Sequence, residues 1–124
     1  MPDKRASLGS FGEQIAANYL TRQGYRVEAR NWRCAAGEID LVMRDGRTLV
    51  FVEVRTRRSA PAGTAEESVG TSKRARLAAL AYAYLEAHTL PEATPWRIDD
   101  VAIAIDRAGR VAHINHIPNA VEEG

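Results

Sequence analysis

The stretches GEIDLV at residues 37–42 and FVEVR at residues 51–55 decide the fold of this chain. Apolar residues occupy every second position in both stretches, and the dipeptide Asp45-Gly46 lies between them. Alternation of this kind on both sides of an Asp-Gly turn is typical of two antiparallel strands, each with one buried face. The sequence therefore predicts a β-hairpin at the centre of the chain.

Helices and further strands are predicted on both sides of this hairpin. Apolar residues with helical spacing predict a first helix over residues 10–23 and a second from Leu77 to about His88. Residues 57–71 lack periodicity and are predicted to form a connecting loop. Three more strands are predicted, over residues 25–32, 98–105 and 110–117. A parallel crossover through the second helix gives an α/β fold with a mixed central sheet.

The size and composition of the chain limit its class. With 124 residues, 45% hydrophobic and 27% charged, it fits one globular domain over residues 1–124, with a core of about 8–117 and flexible termini. No apolar run approaches the roughly 18 residues of a membrane span, and the N-terminus lacks a signal-peptide stretch. We therefore expect a cytoplasmic protein without membrane contact. The single cysteine, Cys34, excludes an intramolecular disulfide and a cysteine zinc site.

The predicted hairpin gathers acidic residues on one face. A two-residue turn at Asp45-Gly46 would set Arg44 opposite Arg47 and Glu38 opposite Glu53. In that register Asp40 is a diagonal neighbour of Glu53, at about 7 to 8 Å between Cα atoms. Crowded carboxylates repel one another unless a cation relieves them, and oxygen ligands suit Mg²⁺ or Mn²⁺. The alternative is that these residues are only the solvated face of the hairpin.

The same residues carry a resemblance to a known family. Gly12-Glu13, the two hairpin stretches and Arg97-Ile98-Asp99 occur in the order and spacing of the YraN-type family of bacterial proteins, over about residues 8–105. That family resembles the restriction-endonuclease-like superfamily with its PD-(D/E)xK active site, and within it the archaeal Holliday-junction resolvases. The resemblance implies a restriction-endonuclease-like α-β-β-β-α-β core. It also implies metal-dependent hydrolysis of DNA phosphodiester bonds, with branched DNA as a candidate substrate.

The resemblance also assigns roles to individual residues. Asp40 and Glu53 match the acidic ligands of Mg²⁺ or Mn²⁺, Val54 would offer its backbone carbonyl, and Glu13 matches a further metal-binding glutamate. An alternative for Glu13 is a helix-capping box with Ser10, in which its carboxylate would bind the Ser10 backbone N–H.

Arg55 departs from the family pattern, because the superfamily has lysine at this position. Arginine stays protonated, so it would hold the attacking water or stabilise phosphoryl charge rather than act as a base. The alternative function is therefore a catalytically weak or inactive nucleic-acid-binding or adaptor protein. A protein-interaction domain is a third possibility.

A basic segment follows the hairpin. Residues 55–76 carry a net charge of +4, whereas residues 77–124 carry −4. The predicted contacts to the DNA backbone are Arg57, Arg58, Lys73, Arg74 and Arg76. The alternative is a solvated arginine-rich loop. Because cutting two strands symmetrically needs two sites, we also expect a homodimer.

Overall fold

The predicted order of helices and strands is confirmed in the computed structural model, which describes residues 4–58, 71–91 and 93–121. For residues 4–9, 71–74 and 120–121 it describes the backbone only. The elements are α1 (Lys4–Arg22), β1 (Arg26–Cys34), β2 (Gly37–Asp45), β3 (Thr48–Arg58), α2 (Thr71–Ala87), β4 (Trp96–Ile105) and β5 (Val111–Val121).

Several predicted boundaries differ from the observed ones: α1 begins at Lys4 rather than at residue 10, and α2 begins at Thr71 rather than at Leu77. Strand β3 continues to Arg58, so Arg57 and Arg58 lie in a strand rather than in the predicted loop. The rest of that predicted loop, residues 59–70, lies outside the described residues, as do residues 1–3 and 122–124 of the predicted flexible termini.

The five strands form one mixed sheet in the order β1-β2-β3-β4-β5. Strands β3 and β4 are parallel, and the other three neighbouring pairs are antiparallel. A parallel pair needs a long crossover connection, and α2 lies between β3 and β4 in the chain. This architecture confirms the predicted α/β class and is consistent with a nuclease-like core.

Each face of the sheet is covered by one helix. Helix α1 packs on a buried cluster through Ala16, Ala17 and Leu20, and its sheet partners are Leu41, Met43, Val50, Val52, Val101, Ile103 and Ile105. Helix α2 packs on the opposite face through Leu77, Leu80, Ala81 and Tyr84, and its sheet partners are Ile39, Val42, Leu49, Phe51 and Ile98. Burial of both faces excludes a hairpin with one solvated side.

The hairpin register differs from the prediction by two residues. Asp45 lies opposite Thr48, so the two turn residues are Gly46 and Arg47 rather than Asp45 and Gly46. Gly46 has a φ of 61°, which the first central position of a primed hairpin turn requires and glycine adopts without strain. The observed ladder ends with Leu41 opposite Val52.

Helix α1 approaches β3 closely at Gly12. A Cβ atom at this position would lie 1.9 Å from Oγ1 of Thr56, so a larger residue would force the helix or the Thr56 side chain to move. Gly12 is buried, and the next residue along the helix is Glu13. The close approach therefore determines where the Glu13 carboxylate stands over the sheet.

Candidate metal centre

Strand β2 separates from β3 at Asp40. The ladder between the two strands reaches Leu41 opposite Val52, and beyond it the backbone N–H of Val54 donates a hydrogen bond to Asp40 Oδ2 at 2.9 Å. Ile39 packs in the α2 cluster whereas Leu41 packs in the α1 cluster. The alternation in residues 37–42 predicts that Ile39 and Leu41 share a face. This prediction is wrong, because the regular alternation is interrupted where the Asp40 side chain replaces the main-chain partner of Val54.

Three carboxylates meet where the strands separate. Glu13 of α1 and Glu38 and Asp40 of β2 each present an oxygen atom, and these atoms lie within 4.8 Å of one another. We call these three residues the acidic cluster. Since α1 begins at Lys4, Ser10 lies inside the helix, and the capping-box interpretation of Glu13 is wrong.

Glu53 stands beside this cluster rather than in it. Its carboxylate is not one of the three oxygens grouped within 4.8 Å in the described part of the chain. Its charge nevertheless contributes to raising the pKa of Asp40. The hairpin pattern predicts that Glu38 lies on the same face as Asp40. The predicted metal ligands do not include Glu38, because the family pattern assigns Glu53 instead.

The environment of the cluster disfavours ionised carboxylates. Burial raises the pKa of Asp40 to about 7, and the charges of Glu53, Glu13 and Glu38 act in the same direction against the Val54 N–H. Burial and the charge of Glu38 also raise the pKa of Glu13. The site therefore carries more negative charge than its surroundings compensate.

Asn31 of β1 links two members of the cluster. With its amide oriented to satisfy the local hydrogen bonds, its nitrogen donates to Glu13 Oε1 at 3.1 Å and to Glu38 Oε1 at 3.2 Å. The backbone of Asn31 has a φ of 51°, a left-handed conformation that is uncommon for residues other than glycine. Sequence reasoning missed Asn31, because its conformation interrupts a strand whose alternation is weak.

The acidic cluster fits a hard divalent cation. Carboxylate oxygens are the preferred ligands of Mg²⁺ and Mn²⁺, and three of them converge here from two elements. A cation would also relieve the repulsion that raises the pKa of Asp40. Val54 contacts Asp40 through its N–H, and its predicted carbonyl role remains a prediction.

Arg55 forms an ion pair with β4. Its Nη2 atom donates to Asp100 Oδ2 at 2.5 Å, and the side chains of Arg55 and Asp100 are 16% and 2% exposed. Within the described residues, Arg55 Nε and Asp100 Oδ1 are buried and make no hydrogen bond. Asp100 was also missed from the sequence, although an acidic residue inside the apolar run of β4 indicates a buried partner.

Asp99 belongs to a separate buried network. It accepts hydrogen bonds from Arg97 Nε at 3.0 Å and from the Asn119 backbone N–H at 2.8 Å, and it contacts His116 Nε2 at 2.7 Å. Burial opposes its ionisation, but the bonds to His116, Asn119 and Arg97 keep its pKa below the ordinary value. Asp99 therefore pairs with Arg97 and His116, and the acidic cluster does not include it.

The predicted DNA contacts lie on two elements. Arg57 and the exposed Arg58 end β3, and Arg76 is exposed on α2. Lys73 and Arg74 lie in the first turn of α2, where the structure describes the backbone only. No helix in the described part of the chain combines the length and the apolar character needed to cross a membrane.

Comparison with known proteins gives a family. The model of the uncharacterised protein family UPF0102 matches residues 12–103, which is well over half of the chain. The chain belongs to the UPF0102 family. This result confirms the predicted YraN-type membership, and the matched range of the UPF0102 chain contains the whole acidic cluster.

Curated UPF0102 proteins resemble the chain along nearly its whole length. One from Roseiflexus castenholzii is 58% identical over 123 residues, which are 99% of either chain. One from Chloroflexus aurantiacus is 52% identical over the same share of both chains. One from Pelotomaculum thermopropionicum is 44% identical, over 97% of this chain and 99% of the relative. These UPF0102 relatives establish the family.

Proposed function

We propose that this UPF0102 protein is a Mg²⁺- or Mn²⁺-dependent nuclease that hydrolyses DNA phosphodiester bonds, with branched DNA as the first substrate to test. The observation that carries the proposal is the convergence of Glu13, Glu38 and Asp40 within 4.8 Å at the point where two strands separate. Like charges at this distance are costly without a cation, so the arrangement favours a metal site over a structural one.

The residues around the acidic cluster would have different roles in hydrolysis. Glu13, Glu38 and Asp40 would hold the ion, and Glu53 would add negative charge beside it. When bound, the metal lowers the pKa of a coordinated water and neutralises charge that develops on the phosphate. Arg55 would orient the phosphate if its guanidinium left Asp100 when DNA binds.

Basic residues outside the acidic cluster would hold the DNA backbone. Arg58 and Arg76 are exposed, and Arg57 precedes Arg58 on the same strand. Lys73 and Arg74 belong to the same basic segment. We also propose that the protein acts as a homodimer, so that two sites can cut two strands.

A second candidate function is supported by the Arg55–Asp100 ion pair. A guanidinium that is held by a buried carboxylate costs free energy to release, and arginine cannot serve as a general base. A protein of this kind would bind DNA, or act as an adaptor, without cutting it.

Cleavage assays distinguish these functions. We would incubate the wild type with labelled four-way junction, flap, single-stranded and duplex DNA, in Mn²⁺ or in EDTA. Asp40→Asn removes one charge from the acidic cluster, and Glu86→Gln removes one from the exposed surface of α2 as a matched control. Metal-dependent cutting that is lost only in Asp40→Asn supports the nuclease.

The other outcomes are equally informative. DNA binding without cutting at any enzyme excess would support the second candidate. Unchanged mobility of every DNA would reject the nuclease and DNA-binding functions and favour a protein-interaction domain.

A further inference from the structure

A cleft opens beside the acidic cluster, between α1 and β1. Its volume is about 180 Å³, and it is lined by Ser10, Glu13, Gln14, Arg30, Asn31 and Leu41. Glu13 belongs to both the cleft and the cluster, so an occupant of the cleft would touch the candidate metal centre. The cleft is open to solvent and admits several water-sized groups, so a small anion such as a phosphate can enter it.

Arg30 is the cation of this cleft. Its Nη1 atom donates to Gln14 Oε1 at 3.2 Å, and Gln14 Nε2 in turn donates to Asn18 Oδ1 at 2.9 Å. The charge of Arg30 lowers the pKa of Glu13, against the larger effect of burial. The exposed Arg30 side chain therefore reaches from β1 to α1 and lies within electrostatic reach of the cluster.

The partner of Arg30 differs from those of four other arginines on the sheet. Arg33, Arg44, Arg55 and Arg97 each form an ion pair with a carboxylate. In the part of the chain that the structure describes, the hydrogen bond of Arg30 goes to a neutral amide instead. Its positive charge and its remaining N–H donors therefore stay available to an anion.

We propose that Arg30 binds a phosphate group of the DNA strand in this cleft, an inference that rests on the proposed nuclease function. The guanidinium on one wall and the acidic cluster with its cation on the other give the phosphate oxygens two positive partners. Gln14 orients the guanidinium between them. The strand then reaches the cluster from the α1–β1 side, and the basic residues of β3 and α2 hold DNA beyond it.

The test compares Arg30→Ala and Arg30→Lys with Arg26→Ala. Arg26 is an exposed arginine on the same strand and serves as the matched control. We would measure kcat/KM for cutting in Mn²⁺, and DNA binding by fluorescence anisotropy in Mn²⁺ with each change added to Asp40→Asn. We expect Arg30→Ala to lower kcat/KM about 10- to 100-fold, since a charge-assisted bond to phosphate is lost. Lysine should recover part of it, and Arg26→Ala should match the parent.

Each outcome decides one of the two proposals. If the wild type cuts and Arg30→Ala cuts as well as Arg26→Ala does, the phosphate contact is wrong and the nuclease stands. If the wild type binds DNA without cutting and Arg30→Ala alone weakens binding, the phosphate contact stands and the nuclease falls. If the wild type neither binds nor cuts, both are overturned. Thermal unfolding of each variant checks that the fold is intact.

Discussion

Asp40 combines a structural role with the chemical one. Its carboxylate accepts the Val54 N–H that an unbroken ladder would give to a main-chain carbonyl, so it closes the end of the β2–β3 pairing. The same carboxylate stands in a partly buried site beside three other acidic residues. One residue thus holds the strands where they separate and concentrates negative charge there.

The raised pKa of Asp40 predicts how the stability of the protein depends on pH. The folded pKa of about 7 exceeds the ordinary value of 3.8, so between these values the folded state binds more protons than the unfolded state. The contribution of Asp40 is present below about pH 4 and is lost as the pH rises to about 7, at up to about 1.4 kcal/mol per pH unit. Asp40→Asn should flatten this dependence, as measured by urea unfolding in EDTA.

The effect of Mn²⁺ on stability provides a control for the predicted pH dependence. At pH 7.5, Mn²⁺ should raise the urea midpoint of the wild type, because a ligand that binds only the folded state stabilises it. Asp40→Asn should respond much less. Equal pH dependence in the two proteins, with equal responses to Mn²⁺, would show that Asp40 titrates as an ordinary carboxyl.

The Asn31 side chain supplies hydrogen-bond donors to two members of the acidic cluster. Its amide lies between Glu13 and Glu38, and its backbone adopts the left-handed conformation at a φ of 51°. Asparagine adopts this conformation more readily than most other residues that carry a side chain. The amide therefore organises the two glutamates before any ion binds.

Substitutions at Asn31 separate the amide from the backbone conformation. Asn31→Gly keeps the left-handed backbone at no steric cost but loses the donors, whereas Asn31→Asp keeps the shape and adds a fourth carboxylate. We expect Mn²⁺ affinity, measured by calorimetry, to fall about tenfold in Asn31→Gly and to rise in Asn31→Asp. Equal affinities in the two variants would mean that Asn31 shapes only the strand.

At the scale of the elements, the sequence identifies the hairpin but not its details. Alternation around Asp45-Gly46 predicts both strands, because burying a face requires a period of two. The register could not be read with the same certainty, since both Asp45-Gly46 and Gly46-Arg47 are possible two-residue turns. The register error keeps the strand faces, because a shift of two residues preserves them.

The acidic cluster depends on contacts between distant elements. The hairpin motifs identify Asp40, and the family resemblance identifies Glu13. The reversal between Ile39 and Leu41 arises from the Asp40–Val54 bond, which periodicity does not encode. Arg55 likewise pairs with Asp100 across the parallel β3–β4 register, which depends on how α2 returns the chain to the sheet.

The close approach of Gly12 in α1 to Thr56 in β3 leads to a prediction about stability. In Gly12→Ala, the added Cβ would meet Thr56 Oγ1 at 1.9 Å, so the helix or the Thr56 side chain would have to move. Alanine favours a helix over glycine by about 1 kcal/mol, but overpacking costs about 1 to 3 kcal/mol. We expect a net loss of stability in urea unfolding, and a larger loss of Mn²⁺ binding because Glu13 moves with the helix.

Removal of the clashing hydroxyl gives the control. Thr56→Ala deletes Oγ1 and leaves the Thr56 Cβ at 3.1 Å from the position of the added methyl group, so Gly12→Ala/Thr56→Ala should recover part of the lost stability. Strict additivity of the two single changes would show that the helix and strand do not meet at this point.

Over the whole molecule, charge is divided along the chain. The segment from Arg55 to Arg76 carries +4 and residues 77–124 carry −4, so the net charge of +1 conceals a local anion-attracting region. The acidic cluster adds a concentrated negative site that repels DNA unless a cation is bound. DNA binding should therefore depend on metal and on salt in opposite ways, since metal reverses the local repulsion and salt weakens the phosphate contacts.

Salt dependence tests these contacts. We would measure junction-DNA binding by Asp40→Asn in Mn²⁺ across a range of salt, because each neutralised phosphate makes the slope of log affinity against log salt about 0.9 more negative on duplex DNA. Arg58→Ala/Arg76→Ala should lower this slope by up to about two, whereas Arg107→Ala, exposed in the β4–β5 turn, should leave it unchanged. Affinity that does not vary with salt would reject the backbone contacts altogether. Equal slopes in all variants would mean that Arg58 and Arg76 do not contact the DNA. The phosphate contacts would then lie in the α1–β1 cleft.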